Sequence, residues 1–152
     1  MMPATRCRMI ARTALAGASA FLLLADSAVA GLLTCRFTEP FFDIAFDSGT
    51  GVVILTSPDD SDPATGKIVP KVIAEGAKLT RSGAWVGYPT LTLDAGGKRI
   101  LDIRLTGQGS DGMSETVFPM EGAYGTNVGG CEATKAPAYD LFELYQDLGI
   151  EP

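Results

Sequence analysis

The strongest constraint on the fold of this chain is a pair of cysteines, Cys35 and Cys131. The third cysteine, Cys7, lies in an N-terminal segment that has the features of a secretory signal peptide. Because exported proteins reach an oxidising compartment, the two remaining cysteines are expected to form a disulfide. That bond would close a loop of about 100 residues, for which the chain-entropy model gives roughly 4.7 kcal/mol of stabilisation.

The predicted export signal covers residues 1–30. Three arginines precede an apolar run over 15–25, and Ala28-Val29-Ala30 forms an A-x-A cleavage site. The run is shorter than the roughly 20 residues that span a bilayer, which argues against an uncleaved anchor. Cleavage would leave a single domain of 122 residues, 31–152, in the periplasm or outside the cell. The competing interpretation is a lipoprotein acylated at Cys35, although Thr34 is large for the position before a lipidated cysteine.

The charge balance disfavours several classes of partner. Without the three arginines and one aspartate of the signal, 9 basic and 17 acidic residues remain, a net charge of −8. Nucleic-acid binding depends on Lys and Arg that neutralise phosphates, so this composition argues against it. An anionic membrane surface is disfavoured for the same reason. An acidic surface favours solubility, and it would speed the encounter with a cationic protein.

Alternating apolar and polar residues predict an all-β domain of about seven or eight short antiparallel strands, arranged as a small barrel or a sandwich. Phe42, Ile44 and Phe46 share one face of a strand that turns at 47–51 and returns at 52–56. This spacing predicts the first hairpin of the domain.

A second hairpin is predicted from strands over 85–94 and 100–106, joined by Ala95-Gly96-Gly97. Ser82-Gly83 is interpreted as the turn that precedes it. The residues predicted to face inward are Leu91, Leu93, Leu101, Ile103 and Leu105, and those predicted to face outward are Thr90, Thr92, Asp102 and Arg104.

Proline and glycine mark the remaining strand boundaries. Pro40 predicts that 35–37 is a separate short strand or an edge strand, and Pro70 predicts an interrupted strand or an edge strand within 68–73. One more strand is predicted over 115–124, with Thr116, Phe118 and Met120 on one face. Gly129 and Gly130 lack side chains, so they would let the backbone before Cys131 approach its neighbours closely.

The C-terminal residues change from a strand period to a helix period. A short helix over 140–149 is predicted from one apolar face formed by Leu141, Leu144, Tyr145 and Leu148. Asp140 and Glu143 have the spacing of a capping box, and Gly149 suits the C-cap. Because so short a helix is not stable alone, we expect it to pack on the strands.

The sequence offers few groups for catalysis. It has no histidine, the commonest general base and metal ligand. The aspartates near Asp60 lack the Gly and Glu that an EF-hand requires, so they predict a solvated turn. Glu39 and Asp111 are a candidate carboxylate pair because the disulfide would draw their segments together, but an aspartate before Gly112 also suits a turn. We therefore expect a protein without catalytic residues, metal or cofactor.

Two motifs bracket most of the mature domain. The first is Cys35 followed by Thr38, Glu39, Pro40, Phe41 and Phe42; the second is Asp111, Gly112, Met113 and Ser114, followed by Phe118-Pro119 and Gly130-Cys131. They resemble the C-x-x-T-E-P-F-[WF] opening and the D-G-M-S-x-x-x-[YF]-P…G-C end of a family of small, uncharacterised bacterial envelope proteins. The resemblance implies an exported protein but carries no activity, because that family has none established.

Ser82-Gly83, with Lys98 downstream, is a shorter stretch that resembles part of the binding motif of periplasmic inhibitors of C-type lysozyme of the MliC/PliC kind. These are exported, disulfide-bonded barrels that insert an S-G-x-x-Y loop and a lysine into the lysozyme cleft. Ser82-Gly83 begins such a loop, but Val86 stands where the tyrosine should be, and Lys98 follows downstream. The resemblance implies a cationic partner such as lysozyme. An ordinary turn at Ser82-Gly83 is the competing interpretation.

Two further classes stay open. A barrel that binds a small apolar ligand could be lined by Phe42, Phe46, Trp85 and Phe118, although a small barrel is just wide enough for its own side chains. A structural protein of the envelope could dock through an edge strand or the terminal helix. We expect an exported, non-catalytic binding or structural protein, with lysozyme inhibition and apolar-ligand binding as the alternatives. The sequence does not indicate the oligomeric state.

Overall fold

The computed structural model describes residues 31–85 and 87–134, which form one antiparallel sheet curled into a half-barrel. The predicted signal peptide and the predicted C-terminal helix lie outside these residues. The nine strands are β1 (Leu32–Thr38), β2 (Phe41–Asp47), β3 (Val52–Thr56), β4 (Lys71–Ala74), β5 (Lys78–Trp85), β6 (Tyr88–Ala95), β7 (Lys98–Arg104), β8 (Met120–Tyr124) and β9 (Asn127–Ala133). The all-β prediction is confirmed, with one strand more than the predicted maximum.

The strand order β4-β3-β2-β1-β9-β8-β7-β6-β5 joins two meanders at the centre of the sheet. All neighbours are consecutive in the chain except β1 and β9, which pair directly at Cys35 and Cys131. These two cysteines form the predicted disulfide, with their Cα atoms 4.0 Å apart. The crosslink therefore lies where the two meanders meet, and both cysteines are fully buried.

The inner face of the curled sheet holds the core. Phe42, Ile44 and Phe46 of β2 are buried there, as their alternation predicted. The second hairpin also forms as predicted around Ala95-Gly96-Gly97, although its first strand begins at Tyr88. The side chains that it buries are Leu91, Leu93, Leu101 and Ile103. Thr92 was predicted to face solvent, but it is buried on the other face, where its hydroxyl donates to Asp102 at 3.0 Å.

Two boundary predictions are wrong, and one is right in only one of its alternatives. Ser82-Gly83 is not a turn; it lies inside β5, where the register shifts between Arg81 and Gly83, and the chain turns around Gly87 instead. Residues 35–37 do form a strand separate from β2, namely part of β1, and Pro40 lies in the turn between the two strands; the edge alternative fails, because β1 is central in the sheet. The strand predicted over 115–124 begins only at Met120, because the residues before it leave the sheet. The edge-strand prediction around Pro70 is confirmed by β4.

The β4 strand forms one edge of the sheet and β5 forms the other. Residues 75–77 connect these two strands, and we call this connection the β4–β5 crossing. At this crossing the amide of Ala77 donates to the carbonyl oxygen of Gly51 at 2.8 Å. Within the described ranges, no helix is long and apolar enough to cross a membrane.

Candidate functional site

The segment between β7 and β8, residues 105–119, folds across the outer face of the sheet, and we call it the strap. Its two arms are tied by reciprocal backbone hydrogen bonds between Gly109 and Phe118, at 2.9 and 2.8 Å, and Gly107 donates to Pro119 at 2.9 Å. Successive residues of a strand face opposite sides. Because Cys131 faces the core, Gly130 faces outward, where the Phe118 ring lies against it.

Phe118 is therefore buried outside the core, in a notch that Gly130 leaves open. A Cβ atom on Gly130 would lie only 2.2 Å from Cδ2 of the ring. The guanidinium of Arg36 lies 5.9 Å from the ring centroid and also pairs with Glu132 at 3.2 Å. The ring is only 2 % exposed, so the strap is anchored by an aromatic side chain.

The strap brings the two sequence motifs together. The hydroxyl of Thr38, at the end of β1, donates to the backbone carbonyl oxygen of Asp111 across 73 positions of sequence. A Cβ atom on Gly112 would lie 2.9 Å from the same hydroxyl oxygen, so this approach suits a glycine. Gly112 also has a φ of 87°, which side chains other than glycine rarely adopt.

Asp111 organises its own end of the strap. Its carboxylate accepts hydrogen bonds from the Met113 amide at 3.0 Å, the Ser114 amide at 2.8 Å and the Ser114 hydroxyl at 2.8 Å. These bonds, those from Ser114 foremost, lower the pKa of Asp111 from its ordinary value. The prediction that Asp111 begins a turn is thus confirmed.

Exposed apolar side chains surround the contact between Thr38 and Asp111. Phe41 pairs with Thr38 across the β1–β2 turn and is 54 % exposed. Val128, also 54 % exposed, lies on β9 beside the same end of β1, and Met113, two residues from Asp111, is 67 % exposed. We call Thr38, Phe41, Asp111, Met113 and Val128 the motif surface. Val128 belongs to neither motif, and only the pairing of β1 with β9 reveals it.

Glu39 and Asp111, the candidate carboxylate pair, lie in segments that meet, but the contact between these segments does not involve their carboxylates. Glu39 is exposed in the β1–β2 turn, next to Thr38. The carboxylate of Asp111 bonds to its own loop, and it is the backbone carbonyl of Asp111 that meets Thr38. Asp43, further along β2, has its pKa raised by burial, with the charge of Arg36 opposing the shift.

The loop near Asp60 forms the predicted turn. It contains a short 3₁₀ helix, Pro58–Asp60. Asp62 then accepts hydrogen bonds from the Ala64 amide at 2.8 Å and the Thr65 hydroxyl at 2.9 Å. Among residues 31–85 and 87–134, no group of three acidic, cysteine or histidine side chains could hold a metal ion.

The structure does not bring Ser82 and Lys98 together. Ser82 lies at the β5 bulge beside Thr90 and Leu91, while Lys98 begins β7 opposite Ala95. Along β6, the positions beside Ser82 and the position opposite Lys98 are four to five residues apart, which corresponds to roughly 15 Å. Val86, which replaces the tyrosine of the lysozyme-inhibitor motif, lies outside the described residues.

The aromatic side chains proposed to line an apolar ligand site do not form one cavity. Phe42 and Phe46 belong to the packed core, and the rings of Phe37 and Phe42 stack with centroids 4.5 Å apart. Phe118 lies on the outer face, and the side chain of Trp85 is outside the described part of the chain. Instead, a cleft of about 370 Å³ opens between the β4–β5 crossing and the β6–β7 turn, and Lys98 lines it.

No family model matches the chain, no curated protein matches it, and no solved structure matches it. The function is therefore inferred from the geometry of this molecule.

Proposed function

We propose that this chain is an exported, non-catalytic protein of the bacterial envelope that binds a protein partner through the motif surface. One observation carries the proposal: two motifs far apart in the sequence meet at Thr38 and Asp111. Phe41 and Met113, which lie close in sequence to the two residues of that contact, keep most of their apolar surface exposed. Aromatic and methionine side chains are enriched in protein interfaces.

The electrostatics of the neighbouring strands agree with a binding role. Arg36, Asp43 and Glu132 form a charged border along the outer face, next to the apolar residues. An apolar centre with a charged rim is the usual arrangement of a protein interface. The net charge of −8 for residues 31–152 would favour a cationic partner.

Site-specific crosslinking in cells tests this proposal. A photoreactive phenylalanine analogue is placed at Phe41 or at Met113, with Val72 as the matched control, because Val72 is 57 % exposed on the distant edge strand β4. We expect a discrete adduct in the envelope fraction from positions 41 and 113 and none from position 72. Phe41→Ser should abolish the adduct formed at 113. Equal adducts from all three positions, or none, would refute the proposal.

Lysozyme inhibition is the second candidate, favoured by the position of Lys98. Lys98 is exposed at the β6–β7 turn, and among the described residues no carboxylate lies within ion-pair distance of it. An exposed lysine that has no carboxylate partner among the described residues could pair with the catalytic carboxylates of lysozyme. Titration of the mature protein into C-type lysozyme should then abolish cell-wall lysis near stoichiometry, and Lys98→Ala should restore it. Undiminished lysis at large excess would exclude this candidate.

A further inference from the structure

We propose that the cleft between the β4–β5 crossing and the β6–β7 turn binds a small amphiphile with an anionic head group. None of the residues that line the cleft belongs to the motif surface, so this inference does not depend on the proposed partner. Its volume of about 370 Å³ is near the lower end of the roughly 300–1,000 Å³ found for small-molecule sites.

The floor of the cleft is an end of the hydrophobic core that no other described segment covers. Several apolar side chains pack against the core from one side but keep part of their surface exposed. Those that line the cleft are Ile73, Ala74, Ala95, Ile100 and Tyr124. Tyr124 is held by an edge-on contact with Phe42, with ring centroids 5.6 Å apart. An apolar ligand body placed there would continue the core and remove this surface from water.

The two sides of the cleft differ in charge. Lys98 and Arg99 stand on the β7 side, and Glu75 stands on the crossing. Arg99 already contacts Asp102 at 3.4 Å, whereas no described carboxylate pairs with Lys98. Within residues 31–85 and 87–134, the cleft therefore has an ammonium group without a carboxylate partner beside an apolar floor. This arrangement is complementary to a carboxylate or phosphate with a short hydrocarbon chain.

Binding of four short-chain probes to the mature, oxidised protein tests this inference. Decanoate and decyl phosphate carry the two anionic head groups, and decanol and decyltrimethylammonium are the neutral and cationic controls. Amide chemical shifts locate each probe, and calorimetry gives its affinity. We expect saturable binding of one or both anions, with shifts concentrated at Gly96, Lys98 and Ile100. Stronger binding of decanoate would point to a carboxylate ligand, and stronger binding of decyl phosphate to a phosphate.

Charge variants with opposite expected effects separate recognition from folding. Lys98→Gln should weaken anion binding about tenfold or more, the size of effect expected for loss of a charged hydrogen bond. Glu75→Gln should strengthen it, because a repulsive charge is removed. Lys67→Gln is the matched control, since Lys67 is also exposed but does not line the cleft.

Three results would overturn the inference. The first is no saturable shift in the cleft with either anion below its micelle concentration. The second is equal binding of the anionic and cationic probes. The third is a loss of affinity in Lys67→Gln as large as that in Lys98→Gln.

Discussion

Replacing Gly130 with alanine is expected to destabilise the domain because its new methyl group would occupy the place of the Phe118 ring. The added Cβ would lie 2.2 Å from Cδ2 and 2.4 Å from Cγ of the ring, distances that no real contact reaches. The molecule can respond in two ways. Either the ring leaves its notch, or the backbones of β9 and the strap separate.

The free-energy cost of each response can be estimated from similar substitutions in other proteins. Exposing a buried phenylalanine costs about 1.5–3 kcal/mol, and forcing extra atoms into a packed site costs about 1–3 kcal/mol. Alanine also has less conformational freedom than glycine in the unfolded chain, and this stabilises the folded state by about 0.4–1 kcal/mol. The expected net loss in the free energy of unfolding is therefore about 1–2 kcal/mol for Gly130→Ala.

A double-mutant cycle with Phe118→Ala isolates this contact. Once the ring is gone, Gly130→Ala should cost almost nothing, so the coupling energy should approach about 2 kcal/mol. Guanidinium unfolding followed by circular dichroism measures each variant, with an unchanged m-value as the check on two-state behaviour. Val128→Ala, on the same face of β9, is the control and should stay within about 0.5 kcal/mol of the wild type. Equal costs of Gly130→Ala in both backgrounds would refute the anchoring role of Phe118.

Two other perturbations have clear expected outcomes. Replacing Cys35 and Cys131 together with alanine should lower stability by up to about 4.7 kcal/mol, since the bond closes a separation of 96 residues; an unchanged guanidinium midpoint would contradict this. The lowered pKa of Asp111 means that its contribution is present above the unfolded pKa of about 3.9 and is lost as the pH falls through the lower folded value. Hydrogen-exchange protection of the Met113 and Ser114 amides should therefore drop in acid, and Asp111→Ala should show the same loss at neutral pH. Protection that is equal in the variant and the wild type would show that Asp111 does not hold this loop.

Local alternation was sufficient to predict the hairpins that build the core. Phe42, Ile44 and Phe46 on β2 are buried because a strand places alternate side chains on one face. The turn prediction at Ser82-Gly83, which depended on residue type alone, failed because glycine with a positive φ suits a bulge as well as a turn, and Gly83 has a φ of 113°. The choice between the two depends on pairing with β6, which no local pattern contains.

Phe118 shows a second limit of local reasoning. Its alternation with Met120 predicted one shared strand face, yet Met120 enters the core and Phe118 lies on the outer face. The notch that receives the ring exists because Gly130, twelve positions later, lacks a side chain. The two glycines before Cys131 were predicted to let the backbone approach its neighbours closely. Gly129 does so, because a Cβ atom there would lie 2.1 Å from the carbonyl oxygen of Arg36, whereas Gly130 admits this ring.

By itself the sequence determined the class of fold, the faces that β2, β6 and β7 bury and the pairing of Cys35 with Cys131. These follow from short-range periodicity and from there being only two cysteines after residue 30. Only the tertiary structure decided that β1 pairs with β9 in the middle of the sheet, that Thr38 meets Asp111, and that Lys98 stands over an apolar cleft while Ser82 does not. The physical reason is that strand order and loop placement depend on contacts between distant residues, whereas strand periodicity is a property of neighbours.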